Sequence, residues 1–225
     1  VLSEDPERTQ DAALEGIADG ATIMMSGFGG TGIPHTLTTA LGATSIGNLT
    51  LITNGVRHTE DCAPELFEEK RVSKVIASAA RSRGREPTTS ERQFEDGTLE
   101  LELVPQGTFA ERMRAAGAGI AAFYTPTGLG TKLTEGKEVR EFNGRQYVLE
   151  PALGADFAFI GADRADRWGN VSFRGTQQNF GPGMAMGSKI AIIEATHVTD
   201  EPLPPGDIDI PGIYVQRVLH VPPKG

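Results

Sequence analysis

The segment that most limits the fold is Asp19-Gly20-Ala21-Thr22-Ile23-Met24-Met25-Ser26-Gly27-Phe28-Gly29-Gly30-Thr31-Gly32-Ile33-Pro34. Asp19-Gly20 signals a turn, the apolar run 23–25 suits a short buried strand, and Pro34 suits the first turn of a helix through Leu37, Ala40 and Leu41. Strand, tight turn and helix in that order make one unit of a parallel α/β sheet. Glycines at 27, 29, 30 and 32 remove the side chains that would hold a ligand off the main chain. Amides exposed at such a turn favour an anionic or polar group. The plainer reading is a tight strand-to-helix connection. No Walker lysine is present, and the glycine spacing does not fit the dinucleotide fingerprint.

The same rhythm continues along the chain. Ala13, Leu14, Ile17 and Ala18 form one face of a first helix, and strands are expected at 49–53 and 72–78. Leu99-Glu100-Leu101-Glu102-Leu103-Val104 alternates strictly, which predicts a strand with one wet face running into Pro105-Gln106-Gly107. A helix is expected next, its start marked by Thr108 and Glu111 in capping-box spacing. Another strand is expected at 121–124, leading to a polar loop, Thr125-Pro126-Thr127-Gly128-Leu129-Gly130-Thr131, that suits a lid. Asn143-Gly144 between 138–142 and 145–149 predicts a two-residue hairpin, because both residues accept positive φ. Strands at 156–160, 189–195 and 213–221 complete the pattern, and the charged stretch 81–95 reads as an exposed excursion. The expected architecture is α/β, an open and mostly parallel sheet flanked by helices with an antiparallel hairpin insertion, in one domain over residues 1–225.

A formal charge of −9 argues against nucleic-acid or anionic-membrane partners, which reward clustered Lys and Arg. One cysteine, Cys62, excludes an intrachain disulfide and a cysteine-based zinc cluster and fits a reducing compartment, most simply the cytoplasm. Residues 1–10 are charged without the apolar core of a signal peptide, and no apolar run approaches membrane-spanning length. His35, His58, His197 and His220 lack metal-site spacing, so no metal is expected. There is no Gly-x-Ser-x-Gly elbow and no activating motif around Cys62. Asp163-Arg164-Ala165-Asp166-Arg167 reads as a salt-bridged turn.

The opening segment resembles the signature at the start of the α subunit of family I coenzyme A transferases: an Asp-Gly turn, three apolar residues, Gly-Gly-Phe, then Gly-x-Pro. Ser26 stands where that family usually has glycine. Further segments look like family blocks in family order: Val104-Pro105-Gln106-Gly107-Thr108, the loop at 125–131, Glu135-Gly136-Lys137-Glu138, Tyr147-Val148-Leu149-Glu150, Asp166-Arg167-Trp168-Gly169-Asn170, Asn179-Phe180-Gly181-Pro182 and Pro211-Gly212-Ile213-Tyr214. The later blocks look most like α subunits of 3-oxoadipate or succinyl-CoA:3-oxoacid transferases. Asn54-Gly55-Val56-Arg57-His58 departs from the family pattern, which points to a different acyl group.

The resemblance implies transfer of coenzyme A from an acyl-CoA to a carboxylic acid such as 3-oxoadipate or acetoacetate, with the coenzyme A thioester as substrate and no permanently bound cofactor. It implies a glutamyl-CoA thioester on a β subunit, in an α2β2 assembly. No counterpart of that glutamate is expected here; the nearest Ser-Glu pairs, Ser3-Glu4 and Ser90-Glu91, lie in charged contexts. Because this chain is acidic, the positive potential for the cofactor's phosphates is expected from the partner. The residues implied in the site are the main chain of Ser26, Gly27, Phe28, Gly29, Gly30, Thr31 and Gly32 toward the cofactor, Asn54, Gln106 and Gly107 toward the substrate, and Gln106 as the oxyanion or substrate donor. The alternatives are a CoA-thioester hydrolase or ring-opening enzyme on the same scaffold, and a noncatalytic nucleotide-binding module.

Overall fold

The computed structural model describes residues 6–81, 84 and 86–223. In chain order the main elements are α1 (Pro6–Leu14), β1 (Thr22–Met25), α2 (His35–Gly42), β2 (Leu49–Gly55), α3 (Val56–Cys62), α4 (Glu65–Glu68), β3 (Val72–Ala79), α5 (Thr89–Asp96), β4 (Glu100–Leu103) and α6 (Gln106–Gly117). There follow β5 (Ala122–Thr125), β6 (Val139–Phe142), β7 (Arg145–Pro151), β8 (Ala155–Asp166), β9 (Val171–Ser172), α7 (Gly181–Gly187), β10 (Ser188–Thr199) and β11 (Arg217–His220).

The main sheet runs β11-β10-β8-β1-β2-β3-β4, every neighbouring pair parallel, with β9 antiparallel against β8. Alternate side chains feed two apolar layers. Ile23, Met25, Leu51, Val75, Phe157 and Phe159 pack with Leu37 and Leu41 of α2 on one face. Met24, Ile52, Ile76, Ala158 and Ile160 pack with Phe109 and Met113 of α6 and Met184 of α7 on the other. Each fully buried side chain of this size contributes about 1.5–3 kcal/mol, so the two layers together hold the helices on both faces. The strand order steps one way from β1 through β4 and then resumes at β8 on the other side of β1. The reversal between β1 and β8 is the crevice where open α/β sheets bind ligands, beyond the strands' C-terminal ends.

The antiparallel insertion is the small sheet β5-β7-β6. Asn143 at φ 51 and Gly144 at φ 76 make its two-residue turn, as their residue types require.

Several expectations change. Helix α6 begins at Gln106, two residues ahead of the expected start, after Pro105 and without a side-chain cap. Thr108 lies inside the first turn with its Oγ1 buried and unpartnered, while Glu111 pairs with Arg114 at 2.6 Å. Proline at 105 fixes φ and stops the strand, and that outweighs the Thr-x-x-Glu spacing. The charged stretch contains helix α5, because Thr88 and Glu91 form a true capping box and Ser90 is buried against Glu60, 2.6 Å between Oγ and Oε2. Residues 82, 83 and 85 of that stretch lie outside the described residues. The last strand shortens to β11, since Gly212–Tyr214 turns as a 3₁₀ segment first.

Asp163-Arg164-Ala165-Asp166 is the end of β8 rather than a salt-bridged turn. Asp166, fully buried, accepts from the amides of Trp168, Asn170 and Leu203 and from Asn170 Nδ2, at 2.8–3.0 Å. Burial pushes its carboxyl up, but the bonds from Asn170, Leu203 and Trp168 outweigh this and hold it below the ordinary range. The polar loop after β5 is stitched from within: Thr131 Oγ1 and Thr134 Oγ1 both donate to the Gly128 carbonyl, at 2.7 and 2.9 Å.

Candidate functional site

Parallel strands place their C-terminal ends together, so segments distant in sequence meet along one edge. The glycine loop leaves β1 there. Asn54 lies near the end of β2, Ser78 near the end of β3, and Gln106 opens α6 just past β4.

Gln106 Nε2 donates to Asn54 Oδ1 at 2.8 Å, and Ser78 Oγ donates to the same oxygen at 2.7 Å. Ser78 also lies 3.1 Å from the Asn54 carbonyl, so its single hydroxyl hydrogen is shared. With both lone pairs of Oδ1 committed, the Asn54 carboxamide has a fixed sense, and its Nδ2 hydrogens have no protein partner among the described residues. Gln106 retains a second Nε2 hydrogen. Because α6 has no side-chain cap, the amides of Gln106 and Gly107 also have no partner among the described residues, at the positive end of a twelve-residue helix. Both residues are exposed. This edge therefore presents hydrogen-bond donors held by a network that commits the Asn54 Oδ1 acceptor, an arrangement suited to developing negative charge on oxygen.

The glycine loop is more self-contained than its composition suggests. Ser26 N donates to Phe159 O, Gly27 N to Asn179 Oδ1, and Phe28 and Thr31 exchange backbone bonds. Only the amides of Gly29, Gly30 and Gly32 lack protein partners among the described residues of the loop. Ser26 is 5% exposed; its Oγ donates to Gly32 O at 2.5 Å and accepts from Gly161 N at 3.1 Å. The hydroxyl that departs from the family pattern thus pins the loop to β8 across the strand-order reversal. Gly32, at φ 70, is required by close packing: a Cβ there would lie 2.5 Å from Gln177 O and from Asn179 Nδ2.

Nor is the helix after this loop open to an anion. Glu194 of β10 accepts the Leu37 amide of α2 at 2.9 Å and is 9% exposed. Its own carboxylate fills the place that an external anion would take. The N-terminus of α6, by contrast, has no side-chain cap.

Sequence reasoning named Asn54, Gln106 and Gly107, which the fold brings to one edge, and the loop residues, which lie beside the strand-order reversal. It missed Ser78, Glu194 and the role of Asn179. Ser78 carried a usable signal, a polar residue ending an apolar strand, whereas the Glu194–Leu37 contact spans 157 residues and has no local one. Of the Ser-Glu pairs, Ser90-Glu91 is structural, since Ser90 is buried on Glu60 and Glu91 caps α5. Ser3-Glu4 lies outside the described residues. No cluster of His, Cys, Asp or Glu suited to a metal occurs among the described residues. No helix in them is long and apolar enough to cross a membrane.

The chain belongs to the coenzyme A transferase family, whose model it matches over residues 7–220. It is 47% identical over 211 residues to the α subunit of 3-oxoadipate CoA-transferase from Pseudomonas putida, covering 93% of this chain and 90% of the relative. It is 46% identical over 216 residues to the α subunit of succinyl-CoA:3-ketoacid coenzyme A transferase from Xanthomonas campestris, covering 95% and 88%. The match to mouse mitochondrial succinyl-CoA:3-ketoacid coenzyme A transferase 2B is 41% identical and covers 93% of this chain but 43% of that one. Among solved structures, glutaconate coenzyme A-transferase of Acidaminococcus fermentans superposes with a TM-score of 0.83 at 22% identity, over 95% of this chain and 74% of that one. The decarboxylase AibA/AibB superposes at 0.79 and 24%, over 95% and 81%. The structural likenesses establish the fold, which hosts more than one chemistry. The sequence relatives bear out the resemblance read from the motifs: this is a CoA-transferase chain of the α kind.

Proposed function

We propose that this chain is the donor half of a shared acyl-transfer site, moving coenzyme A from succinyl-CoA to a 3-oxo acid such as 3-oxoadipate or acetoacetate. The observation that carries the reading is the Ser78–Asn54–Gln106 network, which fixes carboxamide donors beside the free N-terminus of α6. The bacterial relatives, transferases of 3-oxoadipate and 3-ketoacids built from separate subunits, support the substrates and the need for a partner.

The nucleophile in this reading is a glutamate of a β subunit. Its carboxylate attacks the thioester carbonyl, the oxygen gains charge, and the C–S bond breaks to give an acyl-glutamyl anhydride and the coenzyme A thiolate. Thiolate attack on the glutamyl carbonyl forms the glutamyl-CoA thioester and releases the first acid as a carboxylate. The acceptor acid reverses these steps. Gln106 and the Asn54 Nδ2 hydrogens are the proposed donors to the oxyanion, and the unpartnered Gly29, Gly30 and Gly107 amides bind a carboxylate or part of the cofactor. A single such donor is worth about 3 kcal/mol of barrier in a dry, preorganised site.

The mouse relative, more than twice the matched length, supports a fused second half where this chain takes a separate partner. We place the pair as α2β2, with this chain acting as one domain, no permanently bound cofactor, and the free thiol of Cys62 suiting a reducing cytoplasm. The test is reconstitution with a glutamate-bearing β chain, following formation of the 3-oxoacyl-CoA. Activity is expected from the complex and not from this chain alone. Turnover by the isolated chain, or release of free coenzyme A without an acceptor acid, overturns the proposal.

A further inference from the structure

Asn179 stands between the two parts of the proposed site and is held in an unusual backbone conformation, φ 27 and ψ −110. Non-glycine residues rarely adopt a positive φ, and asparagine tolerates it best. Its side chain uses every hydrogen-bonding position it has. Oδ1 accepts from Gly27 N at 3.2 Å and from Phe180 N at 2.7 Å. Nδ2 donates to Thr31 O at 3.3 Å and to Gln177 O at 2.8 Å. One carboxamide therefore grips the glycine loop at its start and near its end, while anchoring to its own segment.

The next residue extends the link. The Phe180 ring packs edge-on against Phe28 of the loop, centroids 6.4 Å apart, and against Phe109 of α6 at 5.4 Å. Phe109 is fully buried and lies three residues beyond Gln106. A path of direct contacts thus runs from the loop through Asn179-Phe180 to the helix whose first residue is Gln106. Strain stored at a residue whose side chain is fully bonded indicates that the surroundings demand that one geometry.

We propose that Asn179 is a positioning residue for acyl transfer, setting the glycine loop in register with the α6 N-terminus. This rests on the site assigned above. Two substitutions separate the roles. Asn179→Gly keeps the backbone conformation accessible and deletes the side-chain grip. Asn179→Asp keeps the acceptor for Gly27 and Phe180 but turns a second oxygen toward the Thr31 and Gln177 carbonyls.

The experiment uses the assembled enzyme with succinyl-CoA, reading hydrogen exchange of peptides covering residues 26–32 together with steady-state kinetics. In Asn179→Gly the loop amides exchange faster, the melting temperature of the complex stays close to the parent's, and kcat falls about 100-fold, the scale of a misplaced reacting geometry. KM for the acyl-CoA rises by a smaller factor than kcat falls, since loosening the loop also weakens binding at the Gly29 and Gly30 amides. In Asn179→Asp the kcat deficit shrinks as pH falls toward the carboxyl range, because a protonated oxygen again donates to one carbonyl. Unchanged loop exchange in both variants shows that Asn179 does not hold the loop, and overturns the proposal. Faster exchange with unchanged kcat shows that the setting of the loop does not serve the reaction, which overturns the proposal while leaving the Ser78–Asn54–Gln106 network, and the reading that rests on it, in place.

Discussion

Gln106 and Asn54, 52 residues apart in sequence, are joined by a 2.8 Å bond from Nε2 to Oδ1, and through it the start of α6 is tied to the end of β2. The bond costs Gln106 one of its two amide hydrogens and fixes where the other is directed. A donor set in advance meets developing charge without reorganising.

Removing that donor is expected to slow the chemical step. Gln106→Ala in the assembled enzyme lowers kcat about 100-fold, within the range seen for loss of one oxyanion donor. The side chain is exposed and belongs to neither apolar layer, so assembly measured by size-exclusion chromatography stays at parental levels. Unchanged kcat removes Gln106 from the site.

Ser78 acts through Asn54 and should show a milder effect. Ser78→Ala frees one lone pair of Asn54 Oδ1 and forfeits about 1 kcal/mol of orienting hydrogen bond, which corresponds to roughly a fivefold loss of kcat. Ser78→Thr retains the hydroxyl and recovers most of that loss. If Ala and Thr behave alike in steady-state kinetics, the orienting role is wrong.

The contrast between these residues and Glu194 shows how much of the molecule its sequence reveals. Strand positions, the hairpin turn at Asn143-Gly144 and the order of the α/β units follow from local periodicity and turn chemistry. Asn54 and Gln106 are visible as polar residues following apolar strands, the places where a parallel sheet gathers its loops. The glycine loop is legible as a turn, but not its internal bonding, because that depends on Asn179 and Phe159, which are brought alongside by the crossover to β8. The α6 start and the α5 helix turned on competing local signals, Pro105 against Thr108 and the Thr88–Glu91 box against the high charge around it. Long-range polar contacts such as Leu37 with Glu194 leave no periodic trace.

Glu194 gives a pH dependence of definite sign. Burial raises its carboxyl above the ordinary 4.5; the Leu37 and Thr36 bonds and the nearby His35 oppose this without cancelling it. The folded chain then binds the proton more tightly than the unfolded one. This contribution to stability is fully present below about 4.5 and is lost as pH rises through the folded-state value. Glu194→Gln removes the ionisation while keeping an acceptor for Leu37. Thermal melting of parent and variant complexes at pH 5 and pH 8 is expected to shift in the variant's favour at the higher pH. A difference independent of pH rules out this role for the carboxyl.

Asp166 behaves in the opposite sense. Its carboxyl lies below the ordinary 3.8, so its stabilising contribution is present above that value and is lost as pH falls through the lower folded-state value. Asp166→Asn puts an NH2 in place of one carboxylate oxygen, so either the Trp168 and Asn170 amides at Oδ1 or Asn170 Nδ2 and the Leu203 amide at Oδ2 meet a donor, leaving buried groups unpaired at a cost of about 2–3 kcal/mol. Urea unfolding at neutral pH measures it. A change under about 0.5 kcal/mol, the ordinary range for surface substitutions, would mean that the turn does not depend on this carboxylate.

In the proposed division of labour this chain supplies hydrogen-bond donors while a partner supplies the nucleophile. Chemical trapping tests that division at the reacting atoms: the complex is incubated with succinyl-CoA in the absence of acceptor acid, treated with hydroxylamine or borohydride, and both chains are read by mass spectrometry. One modified glutamate is expected, on the partner chain, with no modified residue on this one. A modified carboxylate within this chain would place the nucleophile here and refute the division.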